Sequence, residues 1–560
     1  MSPTTTDALL PDDALEACAR ALEALIAQSY PDAPATAVYF EEPRNPEFGD
    51  FATNAALRLA KFARTSPQQV AQALVAGLRE SHAQVASRFA AIDATAGFIN
   101  VRLAPPIWQT LVAKILREGA AFGRGARKDV TISLEFGSAN PTGPLVVVQG
   151  RALSIGDALA RAFRFCGYDV YVEWIINDAG SQVATLGASL YARYMQLFEP
   201  SFPFPEDGYP GDYLLPLAQQ IAQTDGERWR GREREALPVF AQRGRDAIVA
   251  GQRATAERFA VHYDRWYSEK ADLRESGLMD RDLAKLREMG LIYEEEGAQF
   301  FRTSNFGDDK DRVIVRGDGN PTYFAPDIAY HYEKLSRSDR AIDILGPDHH
   351  GYIGRLKAAA AAMGFPGKLD ILIAQQITLL RGGEQVSMSK RAGNIVTLDD
   401  ILDEAGVDAA RFFFVMLATE SPLTFDLKLA VEKSSENPVY YVQYGHARIA
   451  SVLRRADAAD VSDARSAPLA PLVDPAELAL ARRLAELPRV ANGVVEHLAP
   501  HRLATYARDV ATEFHQFYTA CTILIEDREL RLARLALCLA AKSVLAEVLD
   551  LVGVTAPDVM

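Results

Sequence analysis

Val130, Ile132, Leu134 and Phe136 alternate with Thr131, Ser133 and Glu135, and a period of two is the pattern of a β-strand. The Gly/Pro turn SANPTGP follows, then the helical stretch GRALSIGDALARAFRFCGYD and a second strand, YVEWII. Strand, turn, helix and strand in this order form a βαβ unit and predict a parallel sheet. Further strands are read at AIDILG and LDILIAQQITLL, while the charged, helical stretch over 185–300 reads as an insertion outside the sheet. Upstream, Leu15, Cys18, Leu22 and Ile26 recur at helical spacing, as do Ala56, Leu59, Ala60 and Ala63. The turn-rich NPEFGD lies between them and the strand pattern GFINVRL comes later. From Val431 onward Ala, Leu and Arg recur without strand signals. The expected fold class is α/β. An α+β domain spans 1–118, and a basic joint at Gly123–Lys128 leads into a parallel-sheet domain over 125–380. A loop-rich region over 381–430 and an all-helical domain over 431–560 complete the layout.

Composition narrows the class without changing this layout. With 560 residues, 49% hydrophobic and 24% charged, the chain has the proportions of a multi-domain globular protein, not of a disordered, collagen-like or disulfide-scaffold one. Four scattered cysteines with no C-x-x-C pair suit a reducing compartment and argue against a structural metal site or a redox dithiol. No apolar run is long enough to cross a bilayer. The opening MSPTTTDALLPDDAL lacks a basic segment followed by an apolar one, so the expected location is cytoplasmic. A formal net charge of −14 argues against non-specific coating of nucleic acid but permits a local basic surface.

Four segments carry candidate chemistry. The turn SANPTGP puts free backbone N–H groups and a helix N-terminus at the carboxyl edge of the sheet, a natural phosphate site; alone, it reads equally as a tight structural turn. In RGGEQVSMSKRAGN, Lys390 and Arg391 sit in a Ser/Gly-rich loop, which suits closure over a polyphosphate or simple exposure. In TYFAPDIAYHYEKL, Pro326 suits the first helical position and puts Asp327 in the first turn, with Tyr323 just before it. A carboxylate beside an aromatic ring is a good receptor for a planar cation, although a capping Asp and a core Tyr fit the same letters. In GPDHHGYIGRLK, His349 and His350 follow a strand end; no acidic or Cys partner stands at ligand spacing, so nucleotide contact or packing is the better reading.

Taken in order, these segments resemble class I aminoacyl-tRNA synthetases, and among them the arginyl-tRNA synthetases. EFGSANPTG, WIINDAGSQ, FGDDKDRVIVRGDGNPTYFAPDIAYH, GPDHHGYIGRLKAA, SMSKRAGN, ENPVYYVQYGHARI and LVGVTAPDVM carry the likeness, with NPEFGDFATNAALRLAK near the start. The resemblance implies a Rossmann-like catalytic domain, a tRNA-contacting N-terminal domain and a helical anticodon-binding domain. It implies ligation of arginine to tRNA(Arg) through an arginyl-adenylate, with ATP as substrate accompanied by Mg2+, no structural metal, and a monomer. It also implies roles by position. Glu135, Asn140, Tyr323, Asp327 and His349 match arginine-binding positions, with Tyr323 and Asp327 the guanidinium pair and Asn140 near the α-amino or carboxylate end. A fixed fork of five N–H donors needs such carboxylate acceptors. Pro141, Gly143, Gly150, His350, Met388 and Lys390 match ATP-binding positions. Ser389 and Lys390 match the signature-loop residues that stabilise charge on the α-phosphate and pyrophosphate. Asn54, Tyr440, Tyr444, Arg448 and Met560 match tRNA-contacting positions, and Arg454, Arg455, Arg528, Arg531, Arg534, Tyr441, Phe517 and Tyr518 add cations and rings in the same domain. For the individual rings, bundle core is the better reading.

The sequence departs from the family at one signature. Where the family has His-Ile-Gly-His or close to it, this chain has Val146, Val147, Val148 and Gln149. None of the nine histidines lies between His82 and His262, so none nearby in sequence replaces the lost pair. Gln149 still offers a donor and is the candidate catalytic residue there, with Arg151 beside it. Losing one transition-state donor typically costs about 10²–10³ in rate. Ser387 replaces the first Lys of the second signature, a loss this family often tolerates. The alternative expectation is a synthetase-like paralogue with weak or no ligase activity, acting as a tRNA-binding, regulatory or biosynthetic accessory protein.

Overall fold

A computed structural model describes residues 10–43, 45–386 and 396–560. At its centre is a five-stranded sheet formed by β1 (Thr131–Phe136), β2 (Asp169–Ile176), β3 (Arg265–Ser268), β4 (Arg340–Leu345) and β5 (Leu369–Ile373). Every pairing is parallel and the spatial order is β5–β4–β1–β2–β3. The helix α1 (Val147–Phe165) crosses from β1 to β2, and its buried face includes Leu153, Ile155, Leu159 and Phe163. The chain runs outward from β1 to β3, then returns on the other side of β1 through β4 and β5. The reversal therefore lies between β1 and β4, which is where open parallel sheets bind ligands.

The stretch expected to be an insertion is only partly one. The long helix α2 (Glu233–Arg258) packs outside the sheet against Ser181–Gln196, but β3 lies inside the same stretch and pairs Glu173 with Arg265 and Ile176 with Ser268. Four residues of strand, flanked by Asp264 and Glu269, give too short a run for a period of two to be visible. The expected strand LDILIAQQITLL also divides. Its first half is β5, whereas Ile377–Arg381 joins a small sheet with Glu384–Gln385 and Leu423–Asp426. A helix α3 (Phe324–Ser336) precedes β4, and α4 (Leu398–Ala405) follows the signature loop. The second signature itself, with Ser387, Met388, Ser389, Lys390 and Arg391, lies outside the described residues.

The N-terminal domain sets three helices, Pro11–Ser29, Ala55–Ala63 and Pro67–Ser81, on an antiparallel sheet ordered Phe51–Thr53, Phe98–Leu103, Phe89–Thr95. The C-terminal part is helical from Pro438 on, including α5 (Pro438–Arg455), α6 (His501–Ala520) and α7 (Arg528–Val552). These parts are fastened together. Arg411, fully buried, donates to the carbonyls of Phe259 (2.8 Å) and Val552 (3.1 Å) and to Asp157. It thereby joins α7 to the parallel-sheet domain. Arg482 pairs with Asp50 at 3.1 Å, and Arg489 with Glu42, tying the helical domain to the N-terminal one.

Candidate active site

Most of the main cleft's lining comes from the carboxyl edge of the parallel sheet, and Tyr209, Pro210, Gly211 and Tyr213 close it from the segment outside the sheet. Ser138, Asn140, Thr142 and Gly143 follow β1, and Val146, Val148 and Gln149 open α1. Asn177 follows β2, Gly346, Asp348 and His349 follow β4, and Ala374 follows β5. The cleft has a volume of about 480 Å³, within the usual range for a small-molecule site. The chain can turn sharply out of β1 because Gly137 adopts φ 75°, a conformation that a residue with a side chain resists.

The turn after β1 is held from outside the sheet. Gln252 of α2, itself buried, donates through Nε2 to the carbonyls of Asn140 (3.0 Å) and Gly143 (2.9 Å). The Tyr213 hydroxyl donates to the carbonyl of Thr142 at 2.5 Å. With these three carbonyls engaged by protein donors, the turn keeps a fixed shape over the cleft. Neither residue was singled out from the sequence, since both lie in the stretch taken for an insertion.

At the start of α1 the altered signature makes a cap. The Gln149 side-chain oxygen accepts from the Val146 N–H at 3.1 Å, satisfying a donor that the helix leaves free. Only the amide N–H pair of Gln149 then remains to face the cleft. Arg151, expected to share phosphate binding, does not reach it. It is fully buried and donates to the carbonyls of Gln375 (3.0 Å) and Ala418 (2.9 Å), and burial lowers its pKa to about 10. Gly150 also faces away from the cleft. A Cβ there would stand 2.6 Å from Leu398 Cδ1 and 3.0 Å from the Phe414 ring, so this glycine admits the close approach of α4. Pro141 is buried and does not line the cleft, whereas Gly143 does. His349 and His350 are both exposed, and only His349 lines the cleft.

The helix α3 begins at Phe324, two residues earlier than expected, so Pro326 is its third residue; Asp327 still lies in the first turn. Its carboxylate accepts from the Tyr352 hydroxyl at 3.0 Å, and no Lys or Arg among the described residues forms a salt bridge with it. Desolvation raises its pKa to about 6, and His331 and the Tyr352 bond offset this only in part. Here burial outweighs the favourable field of the helix N-terminus. The expected partner, Tyr323, stands at the N-cap position without a side-chain capping bond and is 73% exposed; the aromatic hydroxyl on Asp327 belongs to Tyr352.

Glu135 is engaged within the protein. It lies on β1 behind the cleft, 6% exposed, and its carboxylate is already occupied. The fully buried ammonium of Lys334 bridges Glu135 (2.5 Å) and Asp343 on β4 (2.8 Å), and the Ser138 hydroxyl donates to Glu135 at 3.2 Å. His331 completes the cluster, with Nδ1 2.7 Å from the Asp327 carbonyl and Nε2 2.8 Å from Asp343. Both ring nitrogens face acceptors, which favours the doubly protonated ring. Burial pushes the His331 pKa down, but the bond and charge of Asp343 push it up further, and the net shift is upward. Asp327, His331 and Lys334 stand at i, i+4 and i+7 on α3, one face of a helix. That spacing was the available signal for a network.

Family models account for most of the chain's length. The arginyl-tRNA synthetase N-terminal domain matches residues 14–103, the class I (R) tRNA synthetase catalytic domain 244–416, and the DALR anticodon-binding domain 442–560. An arginine–tRNA ligase of Syntrophotalea carbinolica is 43% identical over 533 residues, covering 93% of this chain and 95% of that one. One from Azoarcus is 41% identical over 572 residues, covering 95% and 96%. The chain belongs to the arginyl-tRNA synthetase family. The arginyl-tRNA synthetase structure of Thermus thermophilus superposes with a TM-score of 0.74 at 25% identity, over 97% of this chain and all of that one. The catalytic-domain match begins downstream of the altered signature.

The family's anticodon-binding domain spans α5, α6 and α7 here. On α5, Tyr440 and Tyr444 stack with centroids 5.9 Å apart at 8°. Arg448 lies over the rings of Tyr444 (4.7 Å) and Tyr518 (5.0 Å) and donates to the Tyr444 hydroxyl at 3.0 Å. Beside it, burial and then the charge of Arg448 lower the His515 pKa to about 4. Met560 is half exposed and Asn54, at the N-cap of Ala55–Ala63, is exposed without a capping bond. Other cations of this domain hold it together instead. Arg528 and Arg531 pair with Asp460 at 3.1 and 2.8 Å, and Arg534 with buried Glu477 at 2.7 Å. Arg454 donates to the carbonyl of Asp558 at 2.9 Å, Phe517 is core, and Tyr441 bonds Thr512 at 3.1 Å.

Proposed function

We infer that this member of the arginyl-tRNA synthetase family activates arginine with ATP and passes it to tRNA(Arg). The arginine carboxylate attacks the α-phosphorus, and pyrophosphate leaves. A ribose hydroxyl at the tRNA 3′ end then attacks the carbonyl of the adenylate, and AMP leaves. Magnesium enters with ATP as part of the substrate. The reading of a cytoplasmic monomer is supported by the sequence resemblance; no helix among the described residues is long and apolar enough to cross a membrane.

The observation that carries the substrate reading is Asp327, a half-buried carboxylate with no Lys or Arg on it among the described residues. A bound arginine would supply the missing charge, and the fixed fork of its guanidinium suits two carboxylate oxygens better than an ammonium does. Asn140 lines the cleft where the α-amino or carboxylate end would lie. The N–H groups of the turn, Gly143 and the Gln149 amide face the phosphates, with His349 on the adenylate side. Ser389, Lys390 and Met388 are assigned to the nucleotide by the signature loop. Glu135 acts from behind, by fixing Lys334. Asn54 from one domain and Tyr440, Tyr444, Arg448 and Met560 from the other are the proposed tRNA contacts.

The test is aminoacylation by purified protein with arginine, ATP, Mg2+ and tRNA(Arg). Arginyl-tRNA should accumulate. A protein that binds the tRNA yet charges none, at saturating substrates, would overturn the reading.

A further inference from the structure

The 3-10 turn Pro347–Tyr352 carries His349 at one position and Tyr352 at its end. The two side chains serve different places. His349 lines the nucleotide cleft, whereas the Tyr352 hydroxyl reaches Asp327 Oδ2 at 3.0 Å. The Tyr352 ring is itself fixed. It meets Phe324 edge to face, centroids 5.9 Å apart at 87°, and the Arg355 guanidinium lies over it at 4.8 Å. Among the described residues Asp327 Oδ1 has no donor. A rigid phenol on one oxygen sets the plane of the carboxylate and leaves Oδ1 and one lone pair of Oδ2 open.

We propose that Tyr352 is a positioning residue for arginine selection, holding the Asp327 carboxylate in the plane that a guanidinium fork requires. This rests on the reading of Asp327 as the guanidinium receptor. A planar, two-pronged cation depends on the orientation of its acceptor, because both N–H bonds must align at once. An ammonium is a point charge and gains little from that orientation. The residue therefore contributes to the choice of arginine over lysine without touching either substrate's reacting atoms.

The same bond affects ionisation. Facing Asp327 are His331 from its own helix, Tyr352 from the 3-10 turn, Glu269 from the segment after β3 and Glu135 from β1. Arg355 and Arg312 face Tyr352. Glu135 is held by Lys334 and Glu269 by Arg274 at 2.6 Å, and the shift of His331, set by Asp343 against its burial, is upward, away from the acid side. The acid limb of arginine use thus belongs to Asp327, and a donated phenol bond keeps it lower than burial alone would.

The experiment compares Tyr352→Phe, Asp327→Asn and the unaltered protein in steady-state aminoacylation over pH 5–8, a range chosen to bracket Asp327. For Tyr352→Phe the KM for arginine should rise about tenfold, the usual weight of one hydrogen bond to a charged group. The values of kcat and of KM for ATP should stay within about twofold, and the acid limb of kcat/KM for arginine should move upward. If Asp327→Asn leaves arginine KM unchanged, the receptor reading fails and the proposal fails with it. If Asp327→Asn raises it and Tyr352→Phe changes neither KM nor the limb, the proposal alone is overturned. It is equally overturned if Tyr352→Phe raises the KM values for ATP and arginine together, because that is the mark of a displaced 3-10 turn.

Discussion

Lys334 reaches across the sheet from α3 to within 2.5 Å of Glu135, and no part of it is accessible to water. A buried ammonium between two carboxylates is strongly destabilising to break, because removing one partner leaves the others charged and unpaired. Lys334→Met should therefore cost about 3–5 kcal/mol of stability, read as a lowered urea midpoint. Glu135→Gln is the informative companion. If Glu135 serves by fixing Lys334, arginine KM should change far less in this variant than in Asp327→Asn. An equal rise in both would return Glu135 to direct contact with the substrate.

Asp327 imposes a pH dependence whose sign follows from its environment. Burial holds its pKa near 6 in the free protein, and only the ionised form receives a guanidinium. The ratio kcat/KM for arginine, which reports free-protein groups, should be flat above that value and fall about tenfold per unit below it. Asp327→Ala should abolish this limb and lower arginine use by about 10²-fold or more, as expected for an unpaired buried cation, with KM for ATP little changed. A limb that survives in Asp327→Ala assigns it to another group.

The turn after β1 should depend on α2. Gln252→Ala would strip donors from the carbonyls of Asn140 and Gly143, and unsatisfied buried groups cost about 1–3 kcal/mol each. The turn should loosen, raising KM for ATP and lowering kcat by about tenfold, while the Asp327 acid limb stays in place. Unchanged ATP kinetics in a folded Gln252→Ala protein would remove the clamp from the account.

What the sequence disclosed follows from which forces act locally. The alternation in VTISLEF and the helical period of α1 announce buried faces within a few residues, so the central βαβ unit was legible. The strand β3 was not, because four residues beside Asp264 and Glu269 resemble charged surface until Glu173 of another strand is seen paired with them. Asp327 was recognisable from its place in a known signature. Lys334, on the same helix, reads as a solvated lysine until β1 and β4 bring Glu135 and Asp343 to it. Gln252 sits in the middle of a charged helix, and nothing local distinguishes it from its neighbours. In each missed case the deciding partner comes from a distant segment.

The altered first signature is predicted to be adapted rather than eroded. Gln149 caps α1 through Val146 and leaves its amide donors without a partner among the described residues, and His at 149 would give up that cap at a cost of about 0.5–2 kcal/mol. Rebuilding the family pattern with Val146→His, Val148→Gly and Gln149→His should gain little activity or lose some. A gain in kcat beyond about tenfold, or 1.4 kcal/mol of barrier, would show that the valines are a defect.

Arg448 offers the sharpest test of the tRNA surface. Its guanidinium lies over two tyrosine rings and bonds the Tyr444 hydroxyl, and it forms no salt bridge with a carboxylate among the described residues. Arg528, Arg531 and Arg534, by contrast, are paired with Asp460 and Glu477, and a cation already neutralised contributes little to phosphate binding. Arg448→Ala should therefore weaken tRNA(Arg) binding while ATP and arginine binding persist. If Arg448 meets a phosphate, the log–log slope of affinity against salt should fall by about one. If it serves by holding Tyr444 and Tyr518 for unstacked bases, affinity should drop with the slope unchanged. Arg531→Ala should lower stability through Asp460 yet leave the slope alone, and a slope change there in a folded protein would contradict the division between binding and structural arginines.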